Sequence, residues 1–536
     1  MTRPKTSITD LSPETLTKIF LLCLPEDPLA RVSEPQPDLT VAPVLLCHVD
    51  SSWRALAFKI PRLWKQLRIC LNFEFDKDAN TLFTRTPAAL ARQIEFLEWW
   101  VEKQHSVPPY LHIEVKHYPP PDRVDKDGKA LPPPKEIVEF SPIKEKHLSF
   151  LLDYISSAQY LCVDDVFSTL MLEGRDRNED DLPMTFPNLH TLWTEYLETE
   201  PYEDDQTAIA TIHRGLFYLD FLNPILEQNP STLRRLYLYH AGLTQLDPNI
   251  FASWTVLTHI YLNIDHVYLT TWYAFLRSLP LLTYANFHIT NDILIGAFIG
   301  PPSETILPRL ISLLINVNTE KDVTLEMRNP VVSLLQNVRM PILKELSLHM
   351  NRESRWESRH LITELYPILW LTPQLTILSL GHVVLPNTNP GISGANIEPI
   401  TRYTPLLTHV YITWHAFLPD GIFREAIDPQ RFTEHFFFSH PWLDLSNKNN
   451  PVDEVTLNIS TIGMPDHLDP EEWEQAKMKL LQRSMMTSVK RHEIPNVAFY
   501  IAIDFPHIAG MELMSEQVCF DVYHGSYVHV VHWKCE

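Results

Sequence analysis

Thr372-Pro373-Gln374-Leu375-Thr376-Ile377-Leu378-Ser379-Leu380 holds the rhythm that decides this fold: a proline, a leucine shortly after it, then a short aliphatic strand. The same order, with a proline or polar residue in front, returns at 186–192, 231–238, 255–262, 281–287, 308–315, 341–348 and 406–412. Leu189, Leu233, Leu257, Leu282, Leu310, Leu343, Leu375 and Leu407 lead the copies, and after a first step of 44 residues the spacing runs from 24 to 33. Self-similarity at such a period marks a repeat array, in which each unit exposes apolar flanks that only its neighbour can cover. Helix-like runs lie between the strands at 217–226 and 272–279, the second closed by Pro280. Strand, helix and strand in succession predict an irregular α/β solenoid with a curved parallel sheet and outer helices, spanning 71–465.

Working outward, Leu90, Ile94, Leu97 and Val101 recur at helical spacing over 87–104, and 110–115 alternates like a strand. A proline-rich insertion at 117–136 is too polar for a core. Helical periodicity resumes at 148–155, and 160–163 is a further strand candidate. Beyond residue 430 the rhythm loosens. A strand is expected at 452–459, a helix from Asp469 through Leu481, and strands at 496–504, 518–523 and 527–533 with His524-Gly525 as a hairpin turn. Residues 466–536 are read as a cap over the last repeat's apolar edge.

Lys and Arg number 44 against 66 Asp and Glu, a formal charge of −22 that would repel a phosphate backbone, so nucleic acid is not an expected partner. No apolar run reaches the roughly 18 residues of a spanning helix, and residues 1–10 lack the apolar centre of a secretory signal. The expected location is cytoplasmic or nuclear, with no membrane association. Cys23, Cys47, Cys70, Cys162, Cys519 and Cys535 form no paired motif and read as reduced thiols. Phosphate loops, dinucleotide fingerprints, nucleophile elbows and H-E-x-x-H helices are all missing from the sequence. His524, His529 and His532, with Cys519 and Cys535, approach a metal cluster, but their spacing matches no common zinc pattern. They read as strand-surface residues. No catalytic residue, metal or cofactor is expected, and the acidic runs 173–181 and 198–205 read as solvated insertions.

At the N-terminus, Ser12-Pro13-Glu14 starts a helix whose Leu16, Ile19, Phe20 and Cys23 share one face. A second start at Ala42-Pro43 leads into Leu45, Val49, Trp53 and Leu56, and Pro61-Arg62-Leu63-Trp64 makes a third short turn. A core of three short helices is too small to be stable alone and calls for a partner. In order and spacing, these elements over residues 8–70 resemble the F-box, in its F-box-like variant, and the later repeats resemble the leucine-rich repeat arrays that often follow one. The resemblance implies a Skp-type adaptor and a cullin scaffold as partners, and the role of substrate-recognition subunit of a cullin-RING ubiquitin ligase, without enzymatic activity of its own.

On that resemblance Leu11, Pro13, Leu16, Ile19, Phe20, Val44, Leu45, Val49, Trp53, Leu63 and Trp64 are the candidates for adaptor docking and its supporting core. Asp50 and the long connection after the first helix motivate an alternative, a non-ligase interaction scaffold with a degenerate F-box. Tyr237, Tyr239, Tyr261, Tyr411 and Trp414 alternate with buried aliphatics on the repeat strands and are the candidates for binding a protein target.

Overall fold

The structure, a computed structural model, describes residues 11–24, 42–71, 74–76, 81–84, 87–105, 107–115, 141–142, 145–164, 186–195, 231–243, 254–294, 304–317, 334–335, 337–350, 356–357, 365–384, 400–416, 452, 454–461, 498–504, 518–521 and 526–533. The chain forms two compact units: residues 1–242 with 252–257 (unit 1), and residues 243–251 with 258–536 (unit 2). Both are α/β, built on parallel strands with few helices among the described residues. The expected helices at 217–226 and 469–481, the 117–136 insertion and both acidic runs lie outside the described residues.

Unit 1 opens with α1 (Pro13–Leu22), α2 (Val44–Val49) and α3 (Ser51–Ala57), followed by a 3-10 turn over Pro61–Trp64. The sequence pattern runs from a start at Ala42-Pro43 through Leu45, Val49, Trp53 and Leu56 without a break; the structure breaks it at Asp50. That residue is extended, with φ −157° and ψ 156°, and its carboxylate accepts from the Ser52 N–H at 2.7 Å, so it caps α3 rather than continuing α2. Helices α4 (Pro87–Gln104) and α5 (Glu145–Ser156) connect strands Gln66–Leu71, Tyr110–Val115 and Tyr160–Asp164, and Thr191–Glu195 and Arg235–Leu243 complete the run.

These five strands are parallel and in register. Leu67, Leu111, Leu161, Leu192 and Leu236 stand side by side, as do Ile69, Ile113, Val163, Thr194 and Leu238, and all are buried.

In unit 2 eight parallel strands follow one another: His259–Tyr268, Tyr284–Leu294, Ser312–Val317, Glu345–Met350, Ile377–Val384, His409–Ala416, Glu454–Thr461 and Ala498–Asp504. Ser526–Trp533 then runs antiparallel to Ala498–Asp504 and pairs with Val518–Asp521. Parallel repetition therefore continues into the segment read from sequence as a cap, and the antiparallel pair ends it. Helix α6 (Leu269–Arg277) buries Trp272 and Phe275 against Phe287, with ring centroids 4.9 Å and 5.9 Å from it.

The repeat rhythm has a physical cause visible at each turn. The N–H of the leading leucine donates to the carbonyl three residues earlier, as from Leu189 to Phe186, Leu282 to Leu279, Leu343 to Met340, Leu375 to Thr372 and Leu407 to Thr404. Pro187, Pro280, Pro341, Pro373 and Pro405 occupy the second position of these turns, where the proline ring presets φ. Each leading leucine is at most 3% exposed, and the residues three and five positions later point to the same interior wherever their side chains are described. The residue after each leading leucine joins its neighbour: Thr283 donates to Thr258, Ile311 to Thr283, Lys344 to Ile311, Thr376 to Lys344 and Thr408 to Thr376, at 2.8–2.9 Å. Sideways main-chain bonds and a continuous leucine column thus fix the register together.

Candidate functional site

In the N-terminal helices the candidate docking residues divide into two groups. Leu16 and Phe20 of α1 are buried, and the Phe20 ring lies 4.9 Å from Trp53 of α3, which fixes α1 against α3. Ser12 caps α1 by accepting from the Thr15 N–H at 3.3 Å, and its hydrogen bond also holds the Glu14 carboxyl below its usual range. Arg54 Nε donates to the Cys47 carbonyl at 2.8 Å, satisfying an end group of α2.

Leu63 and Trp64 are fully buried. The Trp64 indole donates to the Ala57 carbonyl at 3.0 Å, and the Trp100 indole donates in turn to the Trp64 carbonyl at 2.5 Å. Trp64 also meets Trp99 and Trp100 edge-on, at 5.3 and 4.9 Å between centroids. These two residues therefore tie the helices to α4.

The second group faces outward. Leu11 is 38% exposed, Leu45 42% and Val49 55%, with Leu45 and Val49 one helical turn apart on α2. Pro13 is exposed, and Ile19, Val44 and Trp53 are half-buried. Leu22, at 79%, is an exposed apolar residue that sequence reasoning missed. The signal was its phase, off the face that carries Leu16, Ile19 and Phe20. Asp50 is exposed beside Val49, and its bonds to Ser52 hold its carboxyl below the usual range, so it stays charged.

Within unit 2 the described strand aromatics Tyr261 and Tyr411 do not converge. Tyr237 belongs to unit 1 and rests on Trp193 at 4.8 Å. Tyr261 and Tyr411 belong to unit 2 but are separated by the four strands at 284–294, 312–317, 345–350 and 377–384, roughly 24 Å at ordinary strand spacing. All three are half-buried on the face opposite the leucine column. Tyr239 and Trp414 lie on strands, and their side chains fall outside the described residues.

Sequence reasoning missed the polar side chains that share this face in unit 2. His259 stacks on Tyr284 at 4.7 Å and Tyr261 tilts against His288 at 5.1 Å. Asn316 Nδ2 and His288 Nδ1 lie 3.3 Å apart, as do His349 Nε2 and Ser379 Oγ. Asn263 Oδ1 and Asn286 Oδ1 are buried with no hydrogen-bond partner among the described residues. All occupy even offsets from a leading leucine, which is the signal that would have found them. Such a face offers aromatic contact area and hydrogen-bonding groups to a polypeptide.

Among the described residues no group of three His, Cys, Asp or Glu side chains is placed to hold a metal ion, and no helix is long and apolar enough to cross a membrane. The backbone register sets His529 beside Ile503 and His532 beside Tyr500, and the side chains of both histidines lie outside the described residues.

No family model and no curated protein matches the chain. Among solved structures it is similar to a Bacteroides fragilis protein determined by a structural genomics consortium, at 12% identity over 64% of this chain and 76% of that one, with a TM-score of 0.26.

Proposed function

We propose that this chain is the substrate-recognition subunit of a cullin-RING ubiquitin ligase, holding a Skp-type adaptor on its N-terminal helices and a protein target on the strand faces turned away from the leucine column. In this reading residues 8–70 are an F-box-like module, the strands form a leucine-rich repeat solenoid, and the protein works in the cytoplasm or nucleus. The observation that carries it is the set of exposed apolar side chains Leu11, Leu22, Leu45 and Val49 on a small helical module whose core is already filled by Phe20, Leu46, Leu63 and Trp64. Apolar area left in water gains about 25 cal/mol per Å² when a partner covers it. The chain's own contribution is positioning, with the covalent steps carried by other subunits.

Capture by purified adaptor tests the reading. Wild type is expected to be retained, the pair Leu45→Asp and Val49→Asp to lose retention, and Trp370→Asp, which alters an exposed side chain of unit 2, to retain it. Absence of wild-type capture would overturn the adaptor half. Asp50 favours a second reading, a non-ligase scaffold, because its exposed charge adjoins Val49. That reading expects target binding without adaptor capture.

A further inference from the structure

We infer that the N-terminal edge of the unit 1 sheet, where Lys65, Gln159, His190, Arg234 and Arg235 follow one another, is a docking row for an extended acidic segment of a protein target. It deepens the target-binding half of the function proposed above and is independent of the adaptor half.

The row is built by the backbone. Tyr110 N donates to Lys65 O at 2.7 Å, Gln159 N to Pro109 O, His190 N to Gln159 O and Arg234 N to His190 O, each at 2.8 Å. Residues 65, 109, 159, 190 and 234 therefore stand abreast, immediately before five parallel strands spaced about 4.8 Å apart. Lys65 Nζ lies 3.6 Å over the Tyr110 ring and donates to Gln159 Oε1 at 2.9 Å, which carries its charge two strands along the edge. His190 comes next, then Arg234 and Arg235. The positive groups thus occupy roughly 10 Å of one edge.

Among the described residues, Lys65 and Arg235 make no ion pair. The contacts of Lys65 are an amide and a ring. Arg234 Nη1 donates to the Val256 carbonyl at 3.1 Å. Arg235 is half-buried and makes no side-chain hydrogen bond or ion pair among the described residues. Burial, then Arg235, Arg234 and Lys65, hold His190 below the usual histidine range. In a chain with formal charge −22, this concentration runs against the overall composition.

A lysine stem lying along an aromatic ring is ordinary packing and explains Lys65 alone. It does not explain the open fork of Arg235. An extended peptide presents alternate side chains about 6.8 Å apart, so two carboxylates on one face match the reach of the row, and arginine forks take carboxylates through paired hydrogen bonds.

Fluorescence anisotropy of the full chain with a labelled peptide of alternating Glu and Ser, against its Gln and Ser counterpart, tests this. Wild type is expected to bind the Glu peptide at low salt and release it at high salt. Arg235→Glu should weaken binding about tenfold or more, while Arg235→Lys, which keeps the charge but loses the fork, should weaken it by less. Lys344→Glu, at the position of a unit 2 strand that corresponds to Arg234, should leave binding unchanged. Arg235 makes no side-chain hydrogen bond or ion pair among the described residues, so this variant separates binding from folding. Equal binding of the two peptides, no binding at low salt, or an Arg235→Glu protein that binds like wild type would overturn the row. Adaptor capture on the same samples shows separately whether the adaptor half stands.

Discussion

The strand column of unit 2 and the N-terminal helices of unit 1 use large apolar residues in opposite ways. In the column, Ile260, Ala285, Leu313, Leu346, Leu378 and Val410 occupy equivalent positions and all are buried, each filling the space beside the next. In the helices Phe20, Leu63 and Trp64 fill the core, while Leu22, Leu45 and Val49 of the same short elements face water. A side chain in the column is therefore constrained by the fold. A side chain on the outer flank of α1 or α2 is not.

The largest effects should come from residues that hold elements together. Trp64→Ala removes the ring against Trp99 and Trp100 and the indole bond to Ala57, and is expected to destabilise the chain by about 3–5 kcal/mol in urea unfolding. Leu346→Ala opens a cavity between Leu313 and Leu378 and should cost about 2–5 kcal/mol. A loss below about 1 kcal/mol at Leu346 would break the comparison, because the column would then not be close-packed.

Next comes Gly381, whose missing side chain makes room for a neighbour. A Cβ placed there would lie 2.5 Å from His349 Nδ1 and 3.0 Å from its Cβ. Gly381→Ala should displace the His349 ring from Ser379 and destabilise by about 1–3 kcal/mol, the ordinary cost of overpacking. The histidine's ring resonances would report the displacement directly by NMR.

These contrasts also explain what was legible in the sequence. The eight leading leucines announced themselves because each follows a tight turn and sits at a fixed offset from its strand. Tyr110–Val115 and Tyr160–Asp164, read as strands within the 71–465 array, and Gln66–Leu71, not read as a strand, belong to the same kind of ladder but carry no leading leucine, because the residues three before Leu67, Leu111 and Leu161 are Trp64, Pro108 and Ala158. The break at Asp50 was hidden for another reason: Leu45, Val49, Trp53 and Leu56 keep helical spacing across it. Ser51-Ser52 after an aspartate was the capping signal that spacing overrode. Of the docking candidates, burial moved Leu16, Phe20, Leu63 and Trp64 into the core, since hydrophobicity alone does not say which flank of a helix meets its neighbour.

His190 gives a smaller effect with a definite sign. Its folded pKa lies below the ordinary value of 6.5, first through burial and then through Arg235, Arg234 and Lys65. The unfolded chain therefore takes up a proton at a higher pH than the folded one, and stability falls as pH drops below about 6.5 toward the folded value. His190→Gln should flatten that slope in urea midpoints measured between pH 7 and pH 5. An unchanged slope would mean that neither burial nor the nearby cations lower the His190 pKa.

The smallest expected effect is at Leu45, and it sharpens the comparison most. Its side chain is 42% exposed on α2, and no packing in the fold depends on it as the column depends on Leu346. Leu45→Ser should shift stability by no more than about 0.5 kcal/mol, as at other surface positions. If the exposed flank serves a partner, the same substitution should still cut adaptor capture, and a stability loss above about 1 kcal/mol would show that Leu45 belongs to the fold instead. Stability and capture can separate in this way only where a side chain is kept for something the chain does not itself contain.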